Sequence, residues 1–210
     1  MKTIVKPLTA LALLTGMGLA STAEASLISR LGGLAVYDTD RNITWSANAN
    51  LAGTTMNWTA ATAWAANLVY AGFDDWRLPT ALNADGSGPC GPAYNCTGSE
   101  LGNMFYGDIN HGLGGVENTS ITTTHNANYN LFTNIQSSVY WSGTEYALNP
   151  NVAWSFGTSN GIQVNDVKVN NFYAWAVRSG DVAAVPEPGV MGLLGIGALA
   201  WAGTKARRRG

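Results

Sequence analysis

The sequence predicts an α+β fold, with two helices packed on short antiparallel strands and joined by long polar loops. Three observations carry this. Two short apolar runs flank a turn near residue 39. Two helical stretches with their own start signals occupy the middle of the chain. Alternating apolar segments return after residue 139. Strands, then helices, then strands is the order of a fold whose helices are segregated from an antiparallel sheet.

Leu34-Ala-Val-Tyr-Asp38 and Asn42-Ile-Thr-Trp-Ser46 read as strands around the turn Asp38-Thr-Asp-Arg41. Asn57 is a good N-cap for a helix over WTAATAWAANLVY, which places Ala61, Trp64, Ala65 and Leu68 on one face. Gly72 reads as the glycine that ends it. GFDDWRLPT follows, from Gly72 to Thr80. Thr97-Gly-Ser-Glu100 has the spacing of a capping box for a second helix, SELGNMFY. Residues 107–137 read as polar loop. Val139-Tyr-Trp-Ser142 is a strand, and Val152, Trp154 and Phe156 alternate as a half-buried one. Gly161 leads into IQVNDVKV, whose apolar phase shifts between Val164 and Val167 and predicts a bulge at Asn165-Asp166. Phe172 to Ser179 is the last strand.

The two ends carry a different message. Lys2 and Lys6 precede an uncharged apolar run, and Ala23-Glu24-Ala25 puts small residues where a signal peptidase reads them. Residues 1–25 therefore read as a secretory signal cleaved after Ala25. At the other end 17 uncharged residues, 188–204, would span about 26 Å as a helix, a marginal but usable membrane span. Lys205, Arg207, Arg208 and Arg209 follow it, and such a cluster stays cytoplasmic. Gly195-x-Gly197-x-x-Ala200 imitates a dinucleotide fingerprint, but the chain ends ten residues later with no βαβ unit.

Removing the ends changes the charge. Between residues 26 and 185 five strong bases oppose eleven acids, a net −6, against −2 for all 210 residues. Such a body disfavours nucleic acid and anionic polymers as partners. Cys90 and Cys96 sit in CGPAYNC, and in an exported protein the default for such a pair is a disulfide. Neither a tight C-x-x-C nor a ligand-spaced histidine accompanies them, so no metal centre is expected.

Two resemblances sharpen the reading. Val185-Pro186-Glu187-Pro188, the glycine-rich span and the arginine cluster together resemble a PEP-CTERM sorting signal over the last 26 residues. That resemblance implies recognition of Pro-Glu-Pro by an exosortase, removal of the span, and a Gram-negative cell surface or exopolysaccharide matrix as destination. "MNWTAATAWAANLVYAGFDDWRLPT", "YWSGTEYA", "AWSFGTSNG" and "AWAVRSG" resemble the Lcl C-terminal-type domain of unknown function, over most of residues 34–180. The same motifs are similar to the formylglycine-generating-enzyme branch of the C-type lectin-like fold, where W-R-L-P-T leads into the second helix. Here about sixteen residues, Ala81 to Cys96, intervene.

The resemblance implies three parts: residues 1–25, a C-type lectin-like domain over 26–184, and a sorting signal with a transmembrane helix over 185–210. It also implies that GFDDWRLPT is a structural corner. Trp76 and Leu78 would enter the core, Pro79 would fix the turn, and Arg77 would pair with a carboxylate or loop carbonyls. The adjacent acids Asp74 and Asp75 would point different ways, and catalytic side chains must converge. His111 and His125 lie in loops without ligand spacing. Trp141, Trp154 and Trp175 sit on strands and read as core. Asn149, Asn151, Asn165 and Asp166 form a candidate ligand loop. They faintly resemble the Pro-turn and Asn-Asp ligands by which C-type lectins hold calcium and sugar, although the full lectin motifs are absent. No cofactor is expected, with calcium at that loop as the alternative.

The expected function is that of an exported, surface- or matrix-associated binding module without catalysis, with a glycan or exopolysaccharide as ligand. The alternatives are a structural matrix protein without a specific ligand and, behind it, an enzyme. No catalytic residues are expected. Signal peptidase, exosortase and, before processing, the membrane are the expected partners; nucleic acid is not.

Overall fold

The computed structural model describes residues 26–182. The proposed signal segment with Ala23 and Ala25, and the sorting segment with Val185, Pro186, Glu187 and Pro188, lie outside them. Among the described residues, no helix is long and apolar enough to cross a membrane.

Two antiparallel sheets and two helices make up the domain. The first sheet has the order β1-β2-β3-β7, with β1 Leu27–Arg30, β2 Ala35–Asp38, β3 Ile43–Ser46 and β7 Val177–Ser179. The second is a meander of β4 Val139–Glu145, β5 Val152–Gly157 and β6 Gln163–Val167. Helix α1, Trp58–Ala66, and helix α2, Glu100–Tyr106, lie between β3 and β4 in the chain. The first and last parts of the domain thus meet in one sheet, with Ile43 opposite Ser179 and Trp45 opposite Val177.

The β2–β3 turn forms because the Asp38 carboxylate accepts from the backbone N–H groups of Asp40 and Arg41. Asn42 can then take the left-handed conformation, φ +51°, that the reversal needs. Asn57 caps α1 by accepting from the Ala60 N–H. Ala61 and Ala65 are buried on the face of α1 that meets β4.

Aromatic side chains fill the larger core. Trp45 packs edge-on against Trp175 at 4.9 Å between ring centroids, and Phe132 against Trp175 at 5.2 Å. Leu101, Met104 and Phe105 from α2, with Tyr140 and Phe156, complete it. A smaller cluster lies under α1 and holds Ala61, Ala65, Leu78, Trp141, Ala153 and Ala174. Successive residues feed opposite clusters: Tyr140 and Trp175 the first, Trp141 and Ala174 the second. That is the period-2 alternation of extended chain buried on both sides.

Several sequence expectations are corrected. Strand β1, Leu27–Arg30, adds a fourth strand ahead of the expected pair. Helix α1 stops at Ala66, with Asn67 as its C-cap, so Leu68-Val-Tyr70 is not helical. Gly72, φ +87°, instead lies in a tight turn whose flanking residues Tyr70 and Phe73 exchange backbone hydrogen bonds. Ser99, not Thr97, caps α2 by accepting from the Gly102 N–H, and Glu100 turns away from the helix start. Strand β5 is buried at all six residues rather than half-buried, because one face feeds the larger core through Phe156 and the other the smaller cluster through Ala153. The pairing of β5 with β6 is regular through Asn165 and Asp166; the irregularity falls in β4, between Trp141 and Glu145. Phe172–Ser179 is regular strand only over its last three residues. The polar stretch 107–137 is irregular apart from a 3-10 turn at Ala127–Leu131, yet it sends Leu113, Ile121, Phe132 and Ile135 into the core.

The excursion Ala81–Cys96 docks on the edge of the second sheet. Ala93 and Gln163 exchange backbone hydrogen bonds, and the Gln163 side chain donates to the Cys90 carbonyl. Cys90 and Cys96 are joined in a disulfide. The excursion thereby covers part of an edge strand that would otherwise present unpaired backbone groups.

Candidate functional site

GFDDWRLPT runs alongside β7. Arg77 and Val177 exchange backbone N–H···O=C bonds at 2.8 and 2.9 Å, so the segment continues the first sheet beyond its last strand. Alternation then fixes where its side chains go. Trp76 and Leu78 are buried, while Arg77 projects between them to the other side. The Trp76 indole N–H reaches the Tyr70 and Phe73 carbonyls, both at 3.2 Å, and its ring meets Tyr70 edge-on at 5.7 Å. The Pro79 carbonyl accepts from the Gly143 N–H, which ties the corner to β4.

Arg77 and Glu100 form a two-pronged pair. Nη1 donates to Oε2 and Nη2 to Oε1, each at 2.7 Å, and Nη1 also donates to the Leu78 carbonyl. The Glu100 side chain is 7% exposed and that of Arg77 38%. Glu100 further accepts from the Thr80 N–H at 2.7 Å. Its position at the first turn of α2 also suits a carboxylate. One buried acid thus joins the corner to the second helix across the whole Ala81–Cys96 excursion.

The two adjacent acids do separate. The Asp75 carboxylate receives Nε and Nη2 of Arg178 at 2.7 and 2.9 Å. These charge-assisted bonds hold its pKa below the usual aspartate value. Asp74 is exposed. Arg178 also lies over the Phe73 ring, 4.2 Å from its centroid.

A cleft of about 280 Å³ opens at this corner, between α1 and β4. Thr62 and Ala66 of α1 form one wall, Gly143 and Thr144 of β4 the other, and Trp76, Arg77, Leu78 and Thr80 line the remainder. The Thr80 and Thr144 hydroxyls touch at 3.1 Å. Sequence reasoning singled out Arg77 as structural and did not reach Thr62, Gly143 or Thr144. Ordinary threonines on a helix and a strand give no signal in a sequence. Only the packing of α1 on β4 brings them together.

The other candidates fall elsewhere. Asn149 and Asn151 belong to the β4–β5 turn, where the Asn149 carboxamide accepts from the Asn151 N–H. Asn165 and Asp166 lie on β6 opposite Trp154 and Ala153. As strand neighbours they face opposite sides, and Asp166 accepts from the Ser155 hydroxyl at 2.6 Å. The four are not gathered into one ligand loop. His111 lies 2.9 Å from Asp108, and His125 stacks on Tyr129 with Nδ1 at the Ile121 carbonyl. Among the described residues, no group of three or more His, Cys, Asp or Glu side chains could hold a metal ion. Trp141, Trp154 and Trp175 are all buried.

Residues 184–209 match the family model of the PEP-CTERM protein-sorting motif. That motif supports an exported, cell-envelope-associated protein processed by an exosortase. No curated protein matches the chain.

Proposed function

We propose that this is a non-catalytic binding module of C-type lectin-like type. On this reading it is sorted to the surface or extracellular matrix of a Gram-negative bacterium, where it holds a glycan or exopolysaccharide through the cleft between α1 and β4. The observation that carries the reading is the combination of a sorting motif with this cleft. The motif directs the chain outward. The cleft offers a few fixed polar groups on an apolar wall, the usual make-up of a ligand site. The arrangement around it suits binding better than turnover. Glu100 is held by Arg77, and Asp75 by Arg178, so neither of these carboxylates is placed as a free general base. Calcium has no part in this reading.

The test is co-sedimentation of the exported protein with the insoluble exopolysaccharide of its own producing cells. The protein should travel with the polysaccharide and be released by soluble fragments of it. Recovery entirely in the supernatant would contradict the proposal.

A further inference from the structure

Counting hydrogens in the cleft narrows its ligand; this step rests on the function just proposed. A guanidinium has five N–H donors. Two of those of Arg77 go to Glu100 and one to the Leu78 carbonyl. The two left over are Nε–H and the second hydrogen of Nη2. They lie parallel on one edge and form a second fork. Nε has no partner and is not among the buried unpaired atoms, so it is not sealed in the interior.

The threonines can be counted in the same way. Thr80 Oγ1 accepts from the Leu82 N–H, and Thr144 Oγ1 from the Ala81 N–H. The two hydroxyls share one hydrogen bond, so one of their two O–H hydrogens remains to donate outward. Across the cleft the Thr62 hydroxyl donates to the Trp58 carbonyl, which leaves its lone pairs free to accept. Residues that line the cleft thus keep a donor fork, one further O–H donor and one acceptor unused. Ala66 is the exposed apolar residue of the lining, with the almost buried Trp76 and Leu78 beneath it.

We infer that the cleft seats one ring of a neutral sugar, with two neighbouring hydroxyl oxygens on the Arg77 fork and the C–H face on the apolar wall. Hydroxyls fit because they both accept and donate, as Arg77 and Thr62 together require. An acidic sugar fits worse, because Glu100 already neutralises Arg77 and the body carries a net −6 between residues 26 and 185, from five bases and eleven acids. The volume of about 280 Å³ suits one ring rather than a long buried chain.

Gly143 supplies the test. Gly143 lines the cleft, and a Cβ added there would sit 3.5 Å from the Leu78 Cβ, an ordinary contact. The full exported protein, its Gly143→Val variant and its Thr62→Val variant would be titrated with methyl mannoside, methyl galactoside and methyl glucuronide by ligand-observed NMR. The expected result is binding of a neutral glycoside at least tenfold tighter than the glucuronide. Binding should weaken at least tenfold in each variant that keeps the wild-type melting temperature. Thr62→Val acts from the opposite wall and reports even if Gly143→Val fails to fold. A folded variant that binds like wild type, or a preference for the glucuronide, would overturn the cleft assignment. It would leave the broader glycan function standing if the exopolysaccharide still bound. Failure of the exopolysaccharide and of every glycoside to bind would overturn both.

Discussion

The Arg77 guanidinium meets the Glu100 carboxylate through two parallel bonds of 2.7 Å, and with it joins the corner at residue 77 to the start of the second helix. Removing one partner strands the other. Glu100 is the more buried, so Arg77→Ala leaves a carboxylate with only the Thr80 N–H and should cost about 3 kcal/mol, at the low end for a buried pair because Arg77 itself is partly exposed. Replacing both, as Arg77→Met with Glu100→Leu, should cost less than Arg77→Ala alone. Urea unfolding of the three proteins checks the order. A double variant less stable than the single would show that the pair is more than an internally compensated charge.

Trp76 is 2% exposed, and both its ring and its indole N–H are engaged. Trp76→Ala should destabilise the domain by about 3–5 kcal/mol, a large part of the stability of an ordinary domain. A thermal melt within a degree or two of wild type would show that the corner does not support the fold.

How far the sequence revealed this region depends on the residue. Burial of Trp76 and Leu78 and the need of Arg77 for a partner are what the family resemblance of GFDDWRLPT implies, and the structure has both. That the partner is Glu100 does not follow. Thr97 and Glu100 have capping-box spacing, and nothing local says that Ser99 wins the cap and frees Glu100 to reach Arg77. The end of α1 is hidden for a related reason. Leu68, Val69 and Tyr70 continue a helical pattern, but the turn joining Tyr70 to Phe73 claims the chain. Burial of β5 on both faces and entry of Ile121 and Ile135 into the core are set by distant partners. The cleft was the least legible element, since its walls lie some eighty residues apart in the chain.

Asp38 predicts a pH dependence. It is almost fully buried, and burial raises its pKa to about 6, although the Arg41 and Asp40 N–H groups pull the other way. The folded state therefore holds this proton more tightly than the unfolded chain, whose aspartate titrates near 3.8. The stabilisation is fully present below pH 4 and lost as the pH rises to about 6, by at most about 3 kcal/mol. Asp38→Asn should lack this component. Unfolding free energies at pH 4.5 and 7 should differ more in this downward sense for wild type than for the variant. Equal slopes would remove Asp38 as the source.

The disulfide closes a short loop on the docked excursion. Replacing Cys90 and Cys96 together by serine should cost about 2 kcal/mol in the chain-entropy account and leave the fold intact. Near-ultraviolet circular dichroism with a melt would check this; loss of the tertiary signal would mean that the excursion is essential to folding.

The ends make a sharper claim. Mass spectrometry of the exported protein should find Ser26 first and nothing beyond about Pro188, in keeping with Ala23-Glu-Ala25 and the matched sorting motif. An intact arginine tail in a cell with an active exosortase would contradict the sorting.

The central claim is that this exported domain binds a neutral glycan rather than only filling the matrix. The most direct measurement is an equilibrium titration of the exported protein with soluble exopolysaccharide from its producing cells, at low and high salt. The account predicts a saturable isotherm that changes little with salt, because an acidic body holding a neutral ligand has little charge attraction to screen. A signal that never saturates, collapses in high salt or is absent would contradict it.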